Sequence, residues 1–168
     1  VLTNAHVADN LHAWMKVSFP DGSEYWGQCT AIDHNRDLAI IKLHNVQSAL
    51  PYAPLASNKP GAGTPVVCIG QPDPSAGYEN WHVSVGKIHE NKRTHPWRGL
   101  GGVAHTAWTY WGNSGSPLFN YDGEIVALHN TWDSTTALRH AVPQDQIAAF
   151  LQWAGLHQLH VHRGETTG

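Results

Sequence analysis

From its first residues to Pro143 the chain is cut into short apolar or alternating runs by Pro, Gly, Asp and Asn, and this rhythm restricts it to a sheet-rich fold with many turns. Residues 16–19 and 24–29 alternate on either side of Pro20-Asp21-Gly22-Ser23, which predicts a hairpin whose Asp-Gly step tolerates positive φ. Leu38-Ala39-Ile40-Ile41-Lys42-Leu43 is nearly continuous in apolar side chains, as suits a barrel wall buried on both faces. Residues 48–64 carry Pro51, Pro54, Pro60, Gly61 and Gly63, the signature of a connection between two halves. Strand patterns resume over 65–70, 81–88, 103–108, 118–119, 124–129 and 138–142. Helical spacing appears only after Pro143, where Ile147, Phe150, Leu151 and Ala154 share a face and Gly155 is expected to stop the run. The predicted organisation is a first half over 1–55, a connection over 56–63, a second half over 64–154 ending in the helix, and a loose tail over 155–168.

Of the 168 residues, 41% are hydrophobic and 14% charged, which excludes a mainly disordered chain. A formal charge of −3 gives no basic patch for nucleic acid or an anionic membrane, and no apolar run approaches the ~20 residues of a membrane-spanning helix. Neither nucleic-acid binding nor membrane insertion is expected. Thirteen His are unusual: protonating all of them would carry the charge to +10. Cys29 and Cys68 are too few for a disulfide framework and read as two small buried hydrophobes. His157, His160 and His162 have no fixed element expected beneath them, so no metal site and no cofactor is expected. Trp14, Trp26, Trp81, Trp97, Trp132 and Trp153 are scattered, as core and rim aromatics are. Val1-Leu2-Thr3 reads as the inside of a strand, so the chain is expected to be missing its start. Compartment and oligomeric state have no signal in the sequence.

Chemistry concentrates at Gly112-Asn113-Ser114-Gly115-Ser116-Pro117, a tight turn between two strands with small residues on either side of one hydroxyl. Such a turn would expose Ser114 and let the amides of Gly112 and Ser114 point at one spot, where they could hold an oxyanion. A serine hydroxyl needs a base within hydrogen-bond reach and an acid to orient that base. Upstream, Leu2-Thr3-Asn4-Ala5-His6 ends an apolar strand on a histidine, and Arg36-Asp37-Leu38 puts a carboxylate at the mouth of another. Each is ordinary alone, but the order His6, Asp37, Ser114 is not.

In these segments the chain resembles the chymotrypsin-like serine proteases, almost from end to end. Thr3-Asn4-Ala5-His6-Val7 is similar to their histidine segment, 37–43 to their aspartate segment and 112–117 to their nucleophile loop. The resemblance implies an all-β fold of two antiparallel β-barrels with a C-terminal α-helix, the first barrel lacking its N-terminal strands. It implies a serine endopeptidase acting on polypeptides, with catalytic His6, Asp37 and Ser114 and an oxyanion hole at Gly112 and Ser114. It also favours a secreted or extracytoplasmic setting.

Val17-Ser18-Phe19-Pro20-Asp21-Gly22 and the 63–72 segment resemble the high-temperature-requirement (Deg-type) proteases. Residues 114–120 and 124–129 are more similar to glutamyl endopeptidases, which bind an acidic side chain with a histidine and a threonine. That likeness places His129 and Thr109 in the substrate pocket, with His140 on its back wall relaying hydrogen bonds to His129. It also places Asn130 within a 128–131 segment that would pair with extended substrate. Where the Deg-type likeness governs, His129 is instead a satisfied strand histidine beside an apolar pocket for small residues. Tyr110 and Trp111 depart from the small residues usual before Gly112 and would narrow the pocket mouth. The competing class is an inactive peptide-binding or sensor module on the same fold.

Overall fold

The computed structural model describes residues 1–70, 81–94, 101–109, 114–132 and 139–162. The first half comprises β1 (Leu2–Thr3), α1 (Ala5–Ala8), β2 (Trp14–Ser18), β3 (Glu24–Asp33) and β4 (Leu38–Leu43). Its strands form an open antiparallel sheet in the order β1-β4-β3-β2. The expected hairpin is β2 and β3, with Lys16 opposite Trp26 and Gly22 at φ +87° in the turn. Alternation along these strands turns Met15, Val17, Cys29 and Ile41 toward one small core. On the opposite face Lys16 Nζ lies 5.6 Å from the Trp26 ring centroid, and Trp14 packs against His44. Trp14, Trp26, Trp81 and Trp153 are all well exposed, so they belong to the rim.

The second half contains β5 (Pro65–Gly70), β6 (His82–Thr94), β7 (Gly101–His105), β8 (Pro117–Phe119), β9 (Ile125–Trp132) and β10 (Arg139–Pro143). These close into an antiparallel barrel in the order β10-β7-β6-β5-β8-β9. Its interior holds Val66, Cys68, Ile88, Val103, Leu118 and Ala127. Gly86 is required on β6, because a Cβ there would collide with the backbone of Ala107. Both cysteines are buried and free, and burial pushes the Cys68 thiol up to about 12, which leaves it inert at neutral pH.

The terminal helix α2 (Gln144–His162) runs further than its sequence pattern indicates. Gly155 does not stop it, since one glycine inside a helix costs only about 1 kcal/mol relative to Ala, and residues 155–162 are helical rather than a loose tail. Ile147, Phe150 and Ala154 pack on Ala31 and Leu38 from the first half and on Leu128 and Val142 from the barrel. Arg36 Nε also donates to Gln146 Oε1 at 3.0 Å. The helix is therefore the seal between the two halves. Phe150→Ala should destabilise the fold by about 3–5 kcal/mol, because a fully buried ring leaves a cavity at that seal; denaturant unfolding measures the change. No helix among the described residues is long and apolar enough to cross a membrane.

Candidate active site

His6 lies within the short helix α1, one turn beyond β1, rather than at the strand's own end. Asn4, fully buried between the two, fixes that turn: its carbonyl accepts from the amides of Val7 and Ala8, and its Nδ2 donates to the Asp37 carbonyl at 3.0 Å. Asp37 stands before β4 at φ +57°, a left-handed conformation that Asp tolerates better than most residues. This conformation sets its carboxylate against α1. Oδ1 accepts the His6 amide at 3.0 Å, and Oδ2 lies 2.8 Å from His6 Nδ1. The Asp37 side chain is only 3% exposed while that of His6 is 41% exposed, so a buried acid holds one edge of a ring whose other edge faces outward.

Across the interface between the halves, the loop bearing Ser114 is clamped to β9. The Gly115 amide donates to the His129 carbonyl at 2.9 Å and the His129 amide to the Ser116 carbonyl at 2.8 Å. Gly115 takes φ +89°, and a Cβ there would lie 2.6 Å from Thr3 Oγ1, so only glycine lets this loop approach β1. The Ser114 hydroxyl donates to the Asn130 carbonyl at 3.3 Å. The Asn130 side-chain amide reaches Asp37 Oδ2 at 3.4 Å. One residue of β9 thus contacts both the acid and the hydroxyl, a role that its sequence neighbourhood did not signal. Gly112, like Tyr110 and Trp111, lies outside the described residues.

With this arrangement described, residues 1–128 match the family model for the trypsin-like peptidase domain. The chain belongs to the trypsin-like peptidase family. Serine protease HTRA1 of Xenopus laevis is 36% identical over 157 residues, covering 90% of this chain and 33% of that protein. Serine protease HTRA4 of Homo sapiens is 32% identical over 165 residues, covering 95% of this chain and 33% of that protein. The chain therefore spans about a third of the length of the curated relatives it matches. The crystal structure of the serine endoprotease from Yersinia pestis superposes with a TM-score of 0.77, covering 91% of this chain and 52% of that one at 24% identity. The fold is chymotrypsin-like, with the first barrel represented by a half-barrel and the second closed, and the HTRA relatives agree with the Deg-type likeness of the sequence.

Within this family fold the histidine expected in the pocket has an unexpected partner. His129 is buried, and its Nδ1 lies 3.1 Å from Nε2 of His105 on β7, the two rings meeting edge to face. Nothing in the sequence around His105 marked it: it is one histidine of thirteen, 24 residues from its partner. His140 is fully buried on β10 opposite Thr131. Thr109 is also buried, and its Oγ1 accepts a hydrogen bond from Arg139 Nε at 3.3 Å. Burial, followed by the nearby Arg139, His140 and His6, lowers His129 to about 3. Burial, then His129, Arg139 and His140, holds His105 well below the usual imidazole range. Both rings are therefore neutral at neutral pH.

These two histidines make the fold acid-sensitive. In the unfolded chain they take up protons as pH falls below the ordinary histidine value of about 6.5, whereas in the folded chain they stay neutral. The unfolded state then binds more protons, so stability falls with acidification, and for His129 the loss continues until pH reaches about 3. Urea unfolding at a series of pH values below neutrality should show up to about two protons taken up on unfolding.

Proposed function

We propose that this chain is the peptidase domain of a serine endopeptidase that cleaves polypeptides through an acyl-enzyme. Ser114 Oγ attacks the scissile carbonyl while its proton passes to His6 Nε2. The tetrahedral intermediate collapses, the C–N bond breaks, and His6 returns the proton to the leaving amine. Water then hydrolyses the ester by the same route in reverse. Asp37 orients His6 and stabilises the imidazolium, and the amides of Gly112 and Ser114 take the oxyanion. The observation that carries this reading is the 2.8 Å contact of His6 Nδ1 with the buried Asp37, placed across from a loop that Asn130 ties to the same carboxylate.

Leu128 and His129 on β9 are already paired on both sides, with β8 and the Ser114 loop and with β10. Of the expected 128–131 segment we therefore assign the backbone pairing with extended substrate to Asn130 and Thr131, and Asn130, Thr109, His129 and His140 line the region that receives the side chain before the scissile bond. The buried polar groups at Thr109 and His129 fit an acidic residue there, whereas the HTRA relatives and the His105 partner of His129 fit a small apolar one; peptides that differ only in that residue decide between them. A fluorophosphonate should label the chain at Ser114 and nowhere in a Ser114→Ala variant, read by mass spectrometry of the intact protein. An unlabelled but folded chain that still binds peptide would establish the inactive module instead.

A further inference from the structure

Asn4 stands where α1 begins, at the position whose side-chain oxygen ordinarily accepts a backbone amide of the first helical turn. It makes no such bond here. The amide of His6, the second residue of the helix, is taken instead by Asp37 Oδ1 at 3.0 Å. The Asn4 carboxamide is turned the other way, and its Nδ2 donates to the Asp37 carbonyl at 3.0 Å. A carbonyl can only accept, so it fixes which end of the carboxamide faces it. Oδ1 is left buried with no partner among the described residues, a costly state for a polar atom. The side chain has thus given up the bond that suits its position in exchange for one to the acid. Asn4 also abuts the loop bearing Ser114, for its backbone nitrogen lies 3.7 Å from where a Cβ on Gly115 would stand.

We propose that Asn4 is a positioning residue for the acid: it holds the Asp37 backbone so that the carboxylate keeps both of its bonds to His6. This rests on the endopeptidase reading above. Asp37 sits at φ +57°, a conformation that a residue with a Cβ keeps only when something holds it there. Its carbonyl and its carboxylate branch from one Cα, so a change of φ displaces both and carries Oδ2 away from His6 Nδ1, now 2.8 Å distant. Among the residues that suit a helix start, asparagine alone offers an N–H at this reach. Serine and threonine hydroxyls end one bond nearer the backbone, and an ionised aspartate has no proton to donate. Asn130 reaches Oδ2 from the second half at 3.4 Å, whereas Asn4 acts on the main chain of the same residue, so the two carboxamides are not interchangeable.

The test compares the full chain with Asn4→Ala and Asn4→Ser, in peptide kinetics and in thermal unfolding. Serine starts helices about as well as asparagine does, so a residue that only began α1 would be replaced by it without loss. Both variants should lose kcat by on the order of 10²-fold with KM within about threefold, because the acid is misplaced while the contacts to substrate are untouched. The proton between His6 Nδ1 and Asp37 Oδ2 should lose its low-field ¹H resonance in both. In the natural chain, nuclear magnetic resonance should find the Asn4 side-chain amide protected from exchange and coupled across its hydrogen bond to the Asp37 carbonyl carbon. A freely exchanging amide overturns the proposal even if neither variant folds. Full kcat in a folded Asn4→Ser chain overturns it as well and leaves Asn4 as a helix start. A natural chain whose turnover persists unchanged in Ser114→Ala overturns the endopeptidase reading, and the role of Asn4 in it, while the contact of Asn4 with Asp37 stays measurable by resonance.

Discussion

Ser114→Ala should lower peptide turnover by about 10⁶-fold while leaving the fold in place. The side chain loses only its hydroxyl, whose hydrogen bond in the resting structure is one contact of 3.3 Å to the Asn130 carbonyl. The backbone bonds that hold the loop, from Gly115 to His129 and from His129 to Ser116, do not involve that hydroxyl. Stability should therefore change by well under 1 kcal/mol, within the ordinary range for a partly exposed site. Single-turnover assays against a chromogenic peptide, with thermal unfolding in parallel, separate the two effects. A residual rate within tenfold of the natural chain would remove Ser114 from the mechanism.

Asp37→Asn should cost about 10⁴-fold in kcat, for reasons written in the hydrogen bonds around the carboxylate. Oδ1 accepts the His6 amide, whereas Oδ2 faces both His6 Nδ1 and the Asn130 side-chain amide. An asparagine that keeps the first bond must turn its own NH₂ toward the other two groups. His6 can meet that NH₂ only with an unprotonated Nδ1, which puts its proton on Nε2 and leaves no lone pair to receive the Ser114 proton. The Asn130 amide would then face another donor. Asparagine adopts positive φ at least as readily as aspartate, so the backbone at φ +57° should be undisturbed and the loss should appear in kcat rather than in folding. Stopped-flow acylation compared with circular dichroism of the same sample checks this. A change of less than tenfold would mean that Asp37 has only a structural role.

Legibility in the sequence followed the range of the interactions. The hairpin of β2 and β3 and the buried strand β4 are set by side-chain alternation and by Asp21-Gly22, all local features. Helix α2 was recognisable from Ile147, Phe150 and Ala154, but its end was not, because packing outweighs the modest intrinsic cost of Gly155. The segments bearing His6 and Asp37 stood out because each combines an apolar strand with a polar residue at its end, and that of Ser114 because small residues flank one hydroxyl in a turn between two strands. Asn130 was visible only as part of a strand near that loop; its link to Asp37 spans 93 residues and has no local signature.

By itself, then, the sequence determined a sheet-rich chain with a closing helix, and it singled out the three residues proposed to carry the chemistry. Such features repeat over a few residues or sit within one segment, so short-range physics reveals them. Only the tertiary structure decided that β5 to β10 close into a barrel while β1 to β4 remain an open sheet, that His129 pairs with His105, and that Arg139 stands beside Thr109. Those outcomes depend on which distant strands become neighbours, and on the burial that follows, which keeps His105 and His129 neutral within reach of the guanidinium of Arg139.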